Sequence, residues 1–202
     1  SLEGNLATYT PNTDFNGNDS FSFSVSDGEY FASADVTVSV AAVNDAPVLA
    51  SVSDVSFDED GFTSISLSAD DVDNTDLVFS VSGGINITAT LDGDSVSFSA
   101  PDNYNGSESF TANVTDGEYT DSESFTVTVL AVNDAPTANA AAGETNEDQS
   151  VVIALTGNDI DGDNLTFSLD SNAENGSVSL DGSLATYTPN TDFNGNDSFS
   201  FS

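Results

Sequence analysis

The pentapeptide Val-Asn-Asp-Ala-Pro occurs twice in the chain, at residues 43–47 and 132–136. Each copy follows a run of alternating valines and precedes a new extended segment. Proline fixes its own φ and needs no backbone partner for an N–H, so it suits the start of a strand. The Asn-Asp pair before it places oxygen-rich side chains in a short connection. The pentapeptide therefore predicts a linker between two consecutive β-domains.

An aromatic residue followed by Asn-Gly recurs every 89 residues, at Phe15, Tyr104 and Phe193. The two linkers have the same spacing, since Asp45 and Asp134 are also 89 residues apart. A fixed period of this length indicates tandem domains. We predict that the chain samples three repeats, which are the C-terminal part of one (1–43), a complete one (44–132) and the N-terminal part of a third (133–202).

The first and third repeats are nearly the same sequence. Residues 1–24 and 179–202 are identical at 22 of 24 positions, whereas the middle repeat is more diverged. An alternating two-domain unit of 178 residues (2 × 89) follows from this pattern. We therefore expect the chain to be a window on a longer repeat array, in which the neighbouring repeats are its main partners.

The sequence contains many acidic residues and no basic residue to balance their charge. The chain has 35 Asp and Glu and no Lys, Arg or His, so its formal charge is −35. Such a surface repels nucleic acid and anionic membranes, and no apolar run is long enough for membrane insertion. The apolar residues make up 37% of the chain and alternate regularly, which predicts a folded protein. Because internal salt bridges are excluded, we expect dissolved cations to neutralise the charge.

The composition also argues against catalysis. Without His, Cys or Lys, most acid–base and nucleophilic mechanisms have no participants. A pair of carboxylates can cleave glycosides, but no single pair stands out and the chain has no Trp on which a sugar would stack. We therefore expect a protein that is not an enzyme.

Short segments of period-2 alternation follow one another about every ten residues in the middle repeat, with turn residues between them. Seven strands in about 89 residues fit an immunoglobulin-like β-sandwich, and no segment has the pattern of a helix. The fold class is therefore predicted to be all-β, with tandem seven-stranded Ig/cadherin-like β-sandwich domains. The predicted strands are Val48–Phe57, Thr63–Leu67, Leu77–Val81, Ile85–Leu91, Ser95–Ser99, Ser107–Thr115 and Asp121–Val132.

Strand alternation predicts where the acidic loops lie. If consecutive strands run up and down, the loops after strands 1, 3 and 5 lie at the end where the next linker leaves, and the loop after strand 2 lies at the end where the repeat begins. Glu59, the linker at Asn133 and Asp134, and the loop from Asp159 to Asn164 then converge on one junction. The alternate spacing of Asp159, Asp161 and Asp163 lets a curved loop direct several oxygens inward. Crowded carboxylates repel one another, and bound Ca²⁺, which takes six to eight oxygen ligands, reverses that effect.

The Asn-Asp-Ala-Pro linker, the Glu-Asp after the first strand and the Asp-x-Asp loop together resemble bacterial cadherin-like repeats. These are tandem immunoglobulin-like domains of very large secreted adhesins, often exported by type I secretion. The resemblance covers essentially the whole chain. It implies an extracellular or cell-surface location and Ca²⁺ ions bound between successive domains.

The resemblance also implies a set of calcium ligands at each junction, taken from an early Glu, the linker and the Asp-x-Asp loop. The absent Asp-Arg-Glu motif of cadherins is replaced in this scheme by Glu108 and Asp19. The middle repeat reads Asp71-Val-Asp73-Asn74 where the third reads Asp-Ile-Asp-Gly, so equal affinity at the two junctions is not expected. The candidate ligands are Asn44, Asp45, Asp71, Asp73 and Asp19 at the first junction, and Glu59, Glu108, Asn133, Asp134, Asp159, Asp161 and Asp163 at the second.

Three functions remain open at this stage. The first is a structural spacer, in which calcium-rigidified sandwiches extend a large extracellular adhesin. The second is an adhesion module that binds a ligand or glycan through the diverged segment Gly83–Thr88 of the middle repeat. The third is a subunit of an extracellular filament, in which other copies of the chain complete the outer domains.

Overall fold

The computed structural model describes residues 2–202, with side chains from residue 3 onward. Every regular element in this part of the chain is a β-strand, as the alternation predicts. No helix that could span a membrane is found among these residues. The chain divides into two compact units, Ser1–Leu130 and Ala131–Ser202.

The first unit begins with four strands from residues 1–43. Two of them form a short hairpin, and the other two form a hairpin ten residues long in each arm. The long hairpin turns at Asp27, whose carboxylate accepts hydrogen bonds from the N–H groups of Glu29 and Tyr30. The strands are β1 (Leu2–Glu3), β2 (Leu6–Ala7), β3 (Gly17–Ser26) and β4 (Phe31–Val40).

The middle repeat is a β-sandwich. One sheet has the strand order β6-β13-β12-β9, the other has the order β10-β11-β7, and β5 pairs with β8 beside them. The strands are β5 (Val48–Leu49), β6 (Val55–Asp58), β7 (Phe62–Ser66), β8 (Ala69–Asp70), β9 (Val78–Gly83), β10 (Thr88–Asp92), β11 (Ser95–Ser99), β12 (Gly106–Thr115) and β13 (Thr120–Leu130). The prediction of an Ig-like β-sandwich is confirmed.

Three phenylalanines form the centre of the middle core. Phe98 meets Phe110 edge to face at 5.3 Å between ring centroids, and it meets Phe125 edge to face at 5.9 Å. Each ring comes from a strand in which alternate residues are buried, so the period-2 pattern of the sequence directs all three inward. The two sheets are held together at this point.

The first predicted strand, Val48–Phe57, is divided in the structure. Its start is β5, its end is β6, and residues 50–54 between them belong to no strand. Carboxylates hold the chain where the strand is interrupted. Asp121 accepts the N–H of Leu49, the last residue of β5, at 2.8 Å, and Glu123 accepts the N–H of Val52 within the interruption at 2.9 Å. After this break β6 pairs with β13 in parallel. The prediction of one continuous strand was therefore wrong.

The second unit contains the second linker and the residues of the third repeat that follow it. A small core forms around Leu155, Val178 and Ala185, with Phe167 and Phe201 packed against it. The strands are β14 (Thr137–Asn139), β15 (Val151–Ala154), β16 (Thr156–Asn158), β17 (Leu169–Ser171), β18 (Gly176–Asp181), β19 (Leu184–Pro189) and β20 (Ser200–Phe201).

The middle and third repeats share loop contacts as well as strands. Asp60 accepts the N–H of Asn103 at 2.9 Å, and Asp148 accepts the N–H of Asp192 at 3.1 Å. Asn103 and Asp192 are 89 residues apart, and Asp60 and Asp148 are 88 apart. The sequence period thus corresponds to equivalent positions in the two repeats.

Candidate metal centre

The first linker is tied to the Asp-x-Asp loop of the repeat that it enters. The N–H of Asp45 donates a 2.7 Å hydrogen bond to the carboxylate of Asp73. Within the loop, one oxygen of Asp71 accepts the N–H groups of Asp73 and Asn74, at 2.8 and 2.6 Å. A short aspartate side chain turns the backbone around itself in this way because it can accept N–H groups two and three residues later. Four oxygen-bearing residues are thereby collected in a small volume.

Asn44 connects this loop to a third segment. Its side-chain oxygen accepts the amide of Asn74 at 2.8 Å, and its own amide donates to Asp116 at 2.6 Å. Asp116 also accepts the N–H groups of Glu118 and Tyr119, which shapes the turn between β12 and β13. The bond from Asn44, followed by the bond from the N–H of Tyr119, lowers the pKa of Asp116. The carboxylate is therefore ionised at neutral pH and faces the linker.

The site at the first linker contains some residues that were predicted from the sequence as candidate ligands and some that were not. Asn44, Asp45, Asp71 and Asp73 were predicted to lie together, and hydrogen bonds connect Asn44 to Asp116 and Asp45 to Asp73. Asn74 and Asp116 were not predicted as part of the site. Asp116-Gly117 has the sequence of an ordinary hairpin turn, but that turn follows the sixth predicted strand and so lies at the end where the repeat begins. The position of this turn was the feature of the sequence from which Asp116 could have been predicted as part of the site.

The donor set fits a calcium ion. The second carboxylate oxygen of Asp71 is buried and has no hydrogen-bond partner, and a buried carboxylate oxygen is costly unless a donor or a cation meets it. Within residues 2–202, no three carboxylates lie close enough together to hold a metal ion alone. Calcium accepts side-chain amide oxygens beside carboxylates, and the hydrogen bonds of this linker bring together both kinds of group, from Asn44 and Asn74 and from Asp71 and Asp73.

The second linker repeats the principal contact of the first. The N–H of Asp134 donates a 2.7 Å hydrogen bond to Asp161, and the N–H of Asp163 donates to Asp159 at 3.1 Å. Asn133 donates its side-chain amide to the backbone oxygen of Asp134 at 2.9 Å. Hydrogen bonds thus connect Asn133, Asp134 and Asp161 to one another, and a separate bond connects Asp159 to Asp163 within the loop.

Glu59 and Glu108 lie in the first unit. Glu59 is a buried carboxyl group, 6% exposed, and its N–H donates to the backbone oxygen of Leu130. Glu108 accepts the N–H groups of Ile85, Asn86 and Ile87 at 2.6 to 3.2 Å. This set of bonds holds the loop between β9 and β10 and gives Glu108 a role that needs no metal.

We call Glu108 and the three backbone N–H groups that it accepts the Glu108 clamp. These hydrogen bonds strongly favour the ionised form of the Glu108 carboxyl group. Partial burial of the carboxylate raises its pKa, but the hydrogen bonds from Asn86, Ile85 and Ile87 outweigh that effect and lower the pKa from 4.5 to about 2. The phenol of Tyr104 adds a further bond at 3.2 Å. The Glu108 carboxylate therefore holds the loop between β9 and β10 at every pH at which it is ionised.

The clamp recurs in the third repeat, and the first repeat has a carboxylate at the equivalent position. Asp197, 89 residues after Glu108, accepts the N–H groups of Glu174 and Asn175. Asp19, 89 residues before it, accepts the phenol of Tyr9 at 2.8 Å and the N–H of Ser20. The bond from Tyr9 is the main reason that the pKa of Asp19 is lowered. Asp19 and Glu108 are thus equivalent positions, as the sequence period indicates.

The sequence matches the family described as "Bacterial Ig domain" over residues 1–40, 44–129 and 133–202. The chain belongs to this family. Bacterial Ig domains are typically non-catalytic, and they are commonly found at the cell surface or outside the cell. No curated protein sequence matches this chain.

Three solved structures that this bacterial Ig domain chain resembles share less than 20% of its sequence. Mouse protocadherin-24 EC1-3 is 16% identical with a TM-score of 0.46, covering 86% of this chain and 66% of its own. The Bacteroides ovatus glucan-utilisation protein SGBP-B, solved with a mixed-linkage heptasaccharide, is 19% identical with a TM-score of 0.35, covering 79% and 44%. The endo-fucoidan hydrolase MfFcnA4 is 18% identical with a TM-score of 0.38, covering 95% of this chain. The present chain spans about a third of the hydrolase chain, 32% of its length.

Proposed function

We propose that these bacterial Ig domains form a calcium-stiffened spacer that extends a larger extracellular adhesin. The observation that carries this proposal is the contact shared by the two linkers. Asp45 donates its N–H to Asp73 at 2.7 Å, and Asp134 donates its N–H to Asp161 at the same distance. A repeated linker that is fixed to the following domain in the same way is what a regular rod requires.

Charge supports calcium as the stiffening ion. The chain carries a formal charge of −35 and no basic residue that could pair with the linker carboxylates. The buried oxygen of Asp71 without a hydrogen-bond partner supplies a specific position for a cation to meet. When bound, calcium would draw the carboxylates and amide oxygens of linker and loop onto one centre and remove their mutual repulsion.

Extracellular modules bind calcium with dissociation constants of about 10⁻⁴ to 10⁻³ M. Sites in this range are empty in the cytoplasm and fill outside the cell. If external calcium exceeded the dissociation constant by about 100-fold, each site would add about 2.7 kcal/mol to the stability of its domain. A chain that is flexible before secretion would then become a stiff rod after it.

The test is thermal unfolding of the chain with millimolar CaCl₂ or with EGTA, at constant high NaCl. We expect calcium to raise Tm by several degrees. Asp73→Asn and Asp161→Asn should each reduce that rise, because asparagine keeps an acceptor for the linker N–H but loses the charge. The matched control is Asp92→Asn, at the exposed last residue of β10, next to the hairpin turn to β11.

Two results would reject the proposal. One is a Tm that rises with NaCl and does not change with calcium. The other is an equal loss of the calcium effect in Asp92→Asn, which would indicate diffuse screening of the acidic surface rather than bound ions. A rise restricted to the linker sites, with magnesium less effective than calcium, is the expected outcome.

A second candidate function is ligand binding through the loop between β9 and β10. Ile85 in this loop is 95% exposed, although the loop itself is fixed by three backbone bonds to Glu108. Rigid display of an apolar side chain favours a contact with another molecule. Glycan arrays probed with the wild-type chain and with Ile85→Ser would detect such binding, and a wild-type signal unchanged by the substitution would exclude Ile85 as the contact.

A further inference from the structure

The two linkers differ in one side chain that reaches across the loop. The middle repeat has Asn74 directly after its Asp-x-Asp motif, and the third repeat has Gly162 at the equivalent position. The amide of Asn74 donates to Asn44 at 2.8 Å, and the amide of Asn44 donates to Asp116 at 2.6 Å. Gly162 has no side chain with which to begin such a series, and its φ of +80° gives the loop a different backbone conformation there.

The two amide hydrogen bonds, from Asn74 to Asn44 and from Asn44 to Asp116, connect three segments without a metal. The linker, the Asp-x-Asp loop and the turn between β12 and β13 each contribute one of the side chains, Asn44, Asn74 and Asp116. Asn44 therefore provides an uncharged bridge from the loop to a carboxylate that would otherwise only repel its acidic neighbours. Side-chain amides can do this because each offers donors and an acceptor at once.

The proline of the first linker adds a second kind of attachment. Pro47 is among the most deeply buried side chains of the described residues. The first linker is therefore anchored by packing as well as by hydrogen bonds.

We propose that Asn74 is a metal-independent latch, which keeps the linker at residues 43–47 attached to its repeat when calcium is absent. The linker at residues 132–136 has no such residue and depends on the ion. The second half of this inference rests on the proposed calcium function. In an array that alternates the two kinds of repeat, removing calcium would then loosen every second linker rather than all of them.

The first measurement is native-state hydrogen exchange of the full chain in EGTA, read by NMR at the linker amides. The N–H of Asp45 and the N–H of Asp134 make equivalent bonds, to Asp73 and Asp161. We expect the Asp45 amide to exchange about tenfold more slowly, and Asn74→Ala to remove that difference, since one hydrogen bond of ordinary strength is lost. The control is Asn164→Ala, an exposed asparagine in the corresponding loop of the third repeat.

The second measurement is Tm of the wild-type chain and of Asn74→Ala, with EGTA and with saturating calcium. The substitution should lower Tm in EGTA and leave the calcium-loaded Tm nearly unchanged, so that the calcium-induced rise becomes larger. Equal exchange of the two linker amides in EGTA, or no effect of Asn74→Ala on Asp45, would overturn the latch. A latch seen in EGTA with no calcium effect in either protein would support Asn74 and overturn the calcium function alone.

Discussion

The phenol hydroxyl of Tyr187 donates a 3.0 Å hydrogen bond to the carboxylate of Asp197. The same pair occurs 178 residues earlier as Tyr9 and Asp19. In the middle repeat Phe98 replaces the tyrosine at this position.

Two aromatic residues have exchanged roles between the repeats. In the middle repeat Phe98 occupies the position of Tyr187, and Tyr104 occupies the position of Phe193. Tyr104 donates to Glu108 from its new position, and glutamate, one methylene longer than aspartate, is the acceptor. The carboxylates of Asp19, Glu108 and Asp197 thus each accept one tyrosine hydroxyl, although in the middle repeat that tyrosine comes from a different position.

The first prediction concerns the titration of Tyr187. Burial, followed by the hydrogen bond to Asp197, raises its pKa above 10.0. A raised pKa means that the contribution to stability is complete below pH 10.0 and is lost as pH rises through the folded-state pKa. Asp197→Asn should lower the pKa of Tyr187 toward its usual value without restoring it fully, because burial remains. Site-resolved NMR titration of the tyrosine rings measures this, and an unchanged pKa would contradict the assigned bond.

The second prediction concerns Glu108 and acid. Because its pKa is lowered from 4.5 to about 2, its contribution is present above pH 4.5 and is lost as pH falls toward 2. The full shift corresponds to about 3 kcal/mol, and solvent screening of a partly exposed group reduces this to about 1–2 kcal/mol. Urea unfolding in EGTA should show Glu108→Gln less stable than the wild type at pH 7, with the difference disappearing near pH 2.

The control for this experiment is Glu118→Gln, at an exposed position of the turn between β12 and β13. All acidic groups of the chain titrate in the same pH range, so only the difference between each variant and the wild type is informative. A Glu108→Gln difference that does not depend on pH would show that the side chain acts through packing and not through its charge.

The third prediction concerns Gly84, where the chain leaves β9. Its φ is +73°, and a Cβ atom there would overlap the backbone oxygen of Ile87 and lie 2.6 Å from a ring carbon of Phe110. Gly84→Ala should therefore cost about 3 kcal/mol through strain and displaced core atoms. Gly93→Ala is the matched control, since Gly93 has a similar φ of +64° but open space around it. It should cost about 1 kcal/mol, and equal losses in urea unfolding would contradict the steric argument.

The fourth prediction concerns the two carboxylates that hold the end of β5 and the segment after it. Asp121→Ala removes the acceptor of the Leu49 N–H, and Glu123→Ala removes the acceptor of the Val52 N–H. Each loss should cost about 1–3 kcal/mol, because a partly buried donor is left without its partner. Hydrogen exchange should accelerate at Leu49 in the first variant and at Val52 in the second. Acceleration of both amides in both variants would indicate that the whole segment opens as one unit.

The strand pattern was predictable because one side of each strand is buried. The segment Ser95–Ser99 was predicted with the bounds of β11, and its Val96 and Phe98 are fully buried. The predicted strand Ile85–Leu91 was wrong at its start, because β10 begins only at Thr88. Its first three residues are instead held by the side chain of Glu108, and alternation of apolar residues carries no signal for such a contact.

The candidate site was predictable only in part, for a related reason. The Asp-x-Asp spacing marks a loop that turns around its own carboxylates, so Asp71 and Asp73 could be found from the sequence. Asn74 and Asp116 belong to the site through contacts with Asn44 that span 30 and 72 residues. No local sequence pattern predicts contacts of this kind. The calcium ligands, the localisation and assembly into a filament stay predictions.

The parallel pairing of β6 with β13 has a mechanical consequence. Val55 to Asp58 lie beside Val127 to Leu130 in the same direction, so the strand near the beginning of the middle repeat and the strand at its end run side by side. Tension applied to the two ends of the repeat pulls these strands in opposite directions along their length. The load then falls on all the hydrogen bonds between them at once, in shear, and not on one bond after another as in a zipper.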